Sequence, residues 1–118
     1  MALKMNRVST HILDTVRGKP ATDVPVRLER MEESGKWLLL GSARTDHDGR
    51  CGQLLRDDNI LVPGIYRLTF DTGSYFADAK MTSLYPMVEV TFQVRDGEAT
   101  FHIPLLLSPN GYTTYRGT

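Results

Sequence analysis

A single cysteine, Cys51, stands in the 118 residues. With no second thiol, neither an intramolecular disulfide nor a cysteine-based metal cluster is possible, and a cytoplasmic location is expected. Excess charge is missing too. Lys+Arg and Asp+Glu both number 14, for a formal net charge of zero. Nucleic acid and anionic membrane surfaces call for a basic surplus, so neither is an expected partner. A chain with so little self-repulsion is permissive of self-association. Long apolar runs are absent: "WLLL" and "IPLLL" fall far short of the roughly 20 residues that span a bilayer. The opening "MALKMNRVS" has no signal-peptide core, and the closing "RGT" is not the Ser-Lys-Leu type of peroxisomal address. No internal repeat, low-complexity tract or linker interrupts the chain. At 41% apolar and 24% charged residues, the composition fits one domain over residues 1–118 with one modest core. Residues 1–6 are expected to be a flexible N-terminus.

What the chain does contain is a series of short β-type runs at the spacing of an all-β sandwich or barrel. "RVSTHILD" gives a first strand near residues 7–13, and "GKPATD" a turn. Val24, Val26 and Leu28 then share one face, with Arg27 and Glu29 on the other. "EESGK" is a loop, "WLLLGSART" a third strand and "TDHDGR" a turn marked by Asp48-Gly49. "GQLL" is a weak fourth strand and "VPGIYRLTF" a firm one. Between Asp71 and Ser83 alternation is lost, and Ala77, Ala79 and Lys80 favour one short helix. "MVEVTFQV" alternates strictly, placing Val88, Val90, Phe92 and Val94 together. "EATFHIPLLL" is the next strand, "SPNG" a tight turn and "YTTYRG" the last strand. Seven or eight strands and one helix are expected, as an antiparallel β-sandwich; a barrel is the alternative.

Candidate chemistry rests on three histidines, His11, His47 and His102. His102 lies between Phe101 and Ile103, so period-2 alternation turns it off the core with Thr100 and Pro104. His11 shares a face with Ser9 and Leu13. From spacing alone, two unrelated surface histidines are the simpler reading. His47 and Arg50 sit in the "TDHDGR" turn, whose Asp-Gly chemistry needs no function to explain it. Asp46, Asp48 and Gly49 superficially suggest a calcium loop, but the later glutamate and flanking helices are missing. The histidines have no HxH or HExxH spacing, so no metal site is expected. There is no Gly-rich phosphate loop and no GxSxG elbow, and Cys51 has no evident base beside it.

Four stretches together, "STHILDTVRGKPATDVPVRL", "TDHDGRC", "FHIPLLLSP" and "YRGT", resemble the 5-hydroxyisourate hydrolases, the transthyretin-related enzymes of purine breakdown. The resemblance runs from about Arg7 to Thr118, in the family's order. It implies a transthyretin-like fold of two four-stranded sheets with one short helix. It also implies a homotetramer, a dimer of dimers with active sites at the dimer–dimer interface. "QVRDGEAT", which by itself reads as a tight hairpin, would then join strands in opposite sheets. His11, Arg50, His102 and the terminal tetrapeptide match the hydrolase site motifs. The resemblance thus implies catalytic roles for His11, Arg50, His102 and Thr118, and substrate binding by His11, Arg50, Tyr115 and Arg116. No cofactor and no metal are implied. The small-molecule substrate would be 5-hydroxyisourate, opened by water at a lactam carbonyl to 2-oxo-4-hydroxy-4-carboxy-5-ureidoimidazoline.

These residue types suit that reaction. Guanidinium groups of Arg50 and Arg116 would grip the carbonyls of a flat acidic substrate and steady an oxyanion. A histidine titrating near neutrality would relay the proton, with His102 as base and His11 as its partner or as substrate orienter. Thr118 stands where these hydrolases carry serine, keeping the hydroxyl but adding a stiffening methyl. The competing reading is a transthyretin-like carrier of an apolar ligand, which histidines and arginines on the channel face disfavour.

Overall fold

A computed structural model describes residues 6–56 and 60–118. Among them lie β1 (Arg7–Asp14), β2 (Lys19–Pro20), β3 (Pro25–Met31), β4 (Trp37–Arg44), β5 (Arg50–Cys51) and β6 (Gly64–Phe70). After these come α1 (Thr72–Asp78), β7 (Val88–Val94), β8 (Thr100–His102), β9 (Leu105–Ser108) and β10 (Gly111–Thr114). One sheet, in the order β4-β3-β6-β7, is antiparallel throughout. The other is centred on β1. The short β2 and β5 share one side of β1, β8 and β9 follow each other along its other side, and β10 closes the edge beyond β9. Both sheets are therefore four strands wide, and with α1 they form the expected transthyretin-like sandwich. The segment 95–99 crosses between sheets, so β7 and β8 belong to opposite layers. That crossing lays β8 and β9 parallel to β1, the two parallel pairings among the described strands.

The alternating patterns explain the core between the layers. Val8 and Ile12 of β1 meet Phe101, Leu105 and Leu107 from the same sheet. Opposite them stand Val26, Leu28, Tyr66, Leu68, Phe70, Val88 and Val94. Burial of each such side chain contributes roughly 1.5–3 kcal/mol, which is what holds the two sheets face to face. The Tyr66 hydroxyl donates to the Val62 carbonyl oxygen (2.8 Å), so its polar end is satisfied inside the layer. Among the described residues no helix is long and apolar enough to cross a membrane.

Several expected boundaries move, each for a local reason. "GQLL" is not a strand. After Cys51 the Gln53 side chain takes over as partner of the β1 edge, its Oε1 accepting from the backbone N–H of Val8 (3.2 Å) and Leu55 (3.1 Å). Leu54 and Leu55 point into the core instead of alternating. "EATFHIPLLL" is split into β8 and β9 at Ile103-Pro104, where proline has no N–H to give the ladder. Pro104, expected off the core beside His102, is buried. The helix stops before Ala79 and Lys80, which form its cap. Lys80 adopts φ 58°, and the N–H groups of Lys80 and Met81 donate to the carbonyls of Ala77 and Phe76 (both 2.9 Å), a Schellman closure. Asn6, expected in a flexible terminus, is tied by Gln53 Nε2 to its carbonyl (2.8 Å) and by the Leu61 N–H to its side chain (3.2 Å). Residues 1–5 of that expectation lie outside the described residues.

Candidate active site

Alternation on β1 is what begins the site. Val8, Thr10 and Ile12 are buried, and the alternate residues Arg7, Ser9 and His11 share the other face of β1, where Ser9 is covered too. Two neighbouring strands bring their own residues to that face. Register pairs His11 with Arg50 across β1 and β5. On the other side it pairs Ser9 with His102 across β1 and β8. One hydroxyl, two imidazoles and one guanidinium thus converge from three separate segments because of sheet register alone.

The "TDHDGR" turn delivers Arg50. Asp46 Oδ1 accepts from the backbone N–H of Asp48 (2.9 Å) and Arg50 (3.0 Å), and the hydrogen bond from Arg50 is the main cause holding its carboxyl below the usual range. Gly49 has φ 77°, and a Cβ there would lie 2.4 Å from the Ile12 carbonyl oxygen, so only glycine fits the close approach to β1. The turn also holds His11, whose Nε2 donates to the Asp48 carbonyl oxygen (2.8 Å). Asp46, His47 and Asp48 are the one group of potential metal-ligating side chains that cluster among the described residues, and all three are exposed.

The chain end forms the opposite wall. Gly117 bridges to His102, donating its N–H to the His102 carbonyl oxygen (2.7 Å). A Cβ on Gly117 would sit 2.6 Å from the His102 ring carbon Cδ2 and 3.3 Å from Pro104 Cγ. The glycine of "YRGT" is therefore what lets the backbone pass against the imidazole and place Thr118 beside it. Further back, the Thr114 hydroxyl donates to the Pro104 carbonyl oxygen (2.8 Å) and anchors the approach.

Between these walls lies a cavity of about 480 Å³ lined by Arg7, Ser9, Arg50, His102, Arg116 and Thr118, among others. His102 is its central titratable group. Burial first, and then the charge of Arg50 beside it, push its pKa below the usual histidine value, which keeps the ring neutral at neutral pH. Its Nδ1 lies 2.8 Å from Ser9 Oγ, and Ser9 Oγ is in turn 3.5 Å from the Phe101 carbonyl oxygen. Cys51 also lines the cavity, but burial raises its thiol pKa to about 11, so it stays protonated and unreactive.

Of the residues singled out in the sequence, His102, Arg50, Arg116 and Thr118 share this cavity, and His11 does not line it. His11 stands on the same face beside Arg50, turned to the Asp48 carbonyl. Tyr115 is displaced further. It is exposed and borders a neighbouring groove with Val90, Phe92 and Ile103, a groove that Arg116 lines as well as the cavity. Arg116 is present but engaged. Its Nη1 donates to Glu98 Oε2 (2.8 Å), its Nη2 to the Thr100 carbonyl oxygen (3.2 Å), and its guanidinium stacks 4.3 Å from the Phe101 ring centroid. Sequence reasoning missed Arg7 and Ser9 as cavity residues. The signal was available, since both fall at two-residue steps from His11 on an alternating strand.

Comparison with known proteins places this arrangement. The profile of the HIUase/Transthyretin family matches residues 8–117. A 5-hydroxyisourate hydrolase of Mus musculus is 44% identical over 119 residues, covering all of both chains. The structure of the Klebsiella pneumoniae 5-hydroxyisourate hydrolase superposes with a TM-score of 0.82 at 38% identity, covering 97% of this chain and 100% of the other. Sea bream transthyretin in complex with thyroxine superposes with a TM-score of 0.87 at 30% identity, covering 94% of both chains. The chain belongs to the HIUase/Transthyretin family.

Proposed function

We propose that the chain is a 5-hydroxyisourate hydrolase, a cyclic amide hydrolase that opens the six-membered ring of its substrate with water. The observation that carries this reading is the Ser9–His102 contact at the wall of a guanidinium-lined cavity. In this reading His102 Nδ1 holds a proton and donates it to Ser9 Oγ, while the Ser9 hydroxyl turns its own proton to the Phe101 carbonyl. Nε2 is left with its lone pair. It takes a proton from water as the water oxygen attacks the lactam carbonyl carbon, and then returns that proton to the ring nitrogen as the C–N bond breaks. Arg50 donates to the oxyanion that forms on the carbonyl oxygen. Proton transfer of this kind contributes typically about 10²–10⁴-fold, with positioning in the cavity supplying more.

Thr118 serves as a hydrogen-bonding group on the wall, and His11 buttresses Arg50 from outside the cavity of one subunit. Assembly as a dimer of dimers, with channels between dimers, is part of the same proposal, and in such a channel His11 would face bound substrate. Metal independence is part of the reading, supported by a lining with one histidine, a protonated thiol and three guanidiniums, which suits an anion better than a cation. Single-domain organisation and a cytoplasmic location complete the reading. The carrier alternative rests on the likeness to a thyroxine-binding transthyretin, but a cavity lined by Arg7, Arg50, His102 and Arg116 favours a polar heterocycle over an apolar hormone. The test is spectroscopic: freshly generated 5-hydroxyisourate should disappear well above its spontaneous rate, with the rate unchanged by a metal chelator. Decay at the spontaneous rate, together with tight hormone binding, would favour the carrier.

A further inference from the structure

Three guanidiniums line the cavity, and they are not equivalent. Arg116, to which the sequence assigned the grip on substrate, is neutralised by Glu98, hydrogen-bonded to Thr100 and stacked on Phe101. Its charge is answered before any ligand arrives. Arg7 is held differently. Its backbone N–H donates to the Ala99 carbonyl (2.9 Å), and its side-chain Nε donates to the Gly52 carbonyl (2.7 Å). Its Nη2 lies 3.6 Å from the point where a side chain on Gly52 would begin, so the guanidinium lies over bare backbone beside the cavity. No described carboxylate pairs with Arg7 or with Arg50, and no described residue accepts a hydrogen bond from the Arg7 Nη groups.

We infer that Arg7 is a substrate-binding residue, which with Arg50 grips the carbonyl oxygens and negative charge of a planar anionic heterocycle in this cavity. The inference deepens the hydrolase reading and rests on it for the identity of the substrate. The physical case is pre-organisation. One bond from Nε fixes the plane of the Arg7 fork and leaves both terminal nitrogens to donate, so little side-chain freedom remains to be lost on binding. Parallel donation from such a fork matches two oxygens, or an oxygen and a deprotonated ring nitrogen, on the edge of a flat ring. Arg116 then acts as a fixed wall rather than a ligand.

The experiment compares wild type with Arg7→Met, which keeps the stem and removes the fork, and Arg7→Lys, which keeps charge but loses the planar donor pair. Three quantities are read: KM and kcat for 5-hydroxyisourate, and the Kd of urate, used as a planar anionic probe that is not turned over. Loss of a charge-assisted contact should raise KM and urate Kd about tenfold in Arg7→Met, with Arg7→Lys in between and kcat close to wild type. Arg7 is exposed and outside the core, so melting temperatures should coincide. Unchanged KM and urate affinity in Arg7→Met would overturn the inference. So would a fall in kcat at constant KM, because Arg7 would then act through His102 rather than on the ligand. Wild-type turnover separates the two readings: a wild type that binds urate through Arg7 yet leaves 5-hydroxyisourate untouched would refute the hydrolase and leave the binding role of Arg7 standing.

Discussion

His102 Nδ1 and Ser9 Oγ are 2.8 Å apart across the parallel β1–β8 pair, and they are register partners on the same face of the sheet. The contact leaves Nε2 as the free nitrogen of the ring. Ser9→Ala should lower kcat about tenfold with little change in KM, in keeping with the loss of one orienting hydrogen bond. Ser9→Thr, which keeps the hydroxyl, should restore most of it. Equal kcat in all three proteins would remove Ser9 from the account.

The depressed pKa of His102 sets the pH dependence. A base must be neutral to accept a proton, so kcat/KM should hold on the neutral side and fall only as pH drops through a value below that of an ordinary histidine. Burial is the first cause and Arg50 the second. Arg50→Met removes a cation that disfavours imidazolium, so the His102 titration followed by NMR should move upward. A downward or absent shift would contradict the electrostatic description of the cavity.

Gly117 is the one residue of the chain end with no room for a side chain. Gly117→Ala would drive a methyl to 2.6 Å from the His102 ring, so the ring or the end of the chain must move. Activity should fall sharply while the melting temperature shifts by only a few degrees, since the core is untouched. By the same logic a tag fused after Thr118 should impair turnover far more than one placed before Met1. Equal activity from both fusions would separate the chain end from catalysis.

Cys51 gives a prediction of the opposite kind. Its thiol lines the cavity but is 4% exposed and holds its proton up to about pH 11. Thiol-directed alkylation at neutral pH should therefore be slow, and activity should survive it. Rapid stoichiometric labelling would show the cavity wall to be more open than described.

Much of this was legible before the structure. Alternation located β1, β3, β6 and β7, and the Asp-Gly pair located the turn carrying Arg50. The same alternation placed His11 and His102 off the core. What stayed hidden depends on contacts between segments distant in sequence. No local pattern says that the Gln53 side chain replaces a strand partner of Val8, or that Pro104 divides one long strand. Arg116 looked available because its partner, Glu98, is 18 residues away. Tyr115 looked like part of the site because it neighbours Arg116 in sequence, yet it borders the neighbouring groove, while Arg116 reaches both the groove and the cavity.

The most direct measurement follows the loss of freshly generated 5-hydroxyisourate with wild-type protein and with His102→Ala, at matched concentration and with folding checked by circular dichroism. Wild type should accelerate the decay strongly, and His102→Ala should fold normally and lose most of that acceleration. A folded His102→Ala protein that matched the wild-type rate would contradict the account at its centre.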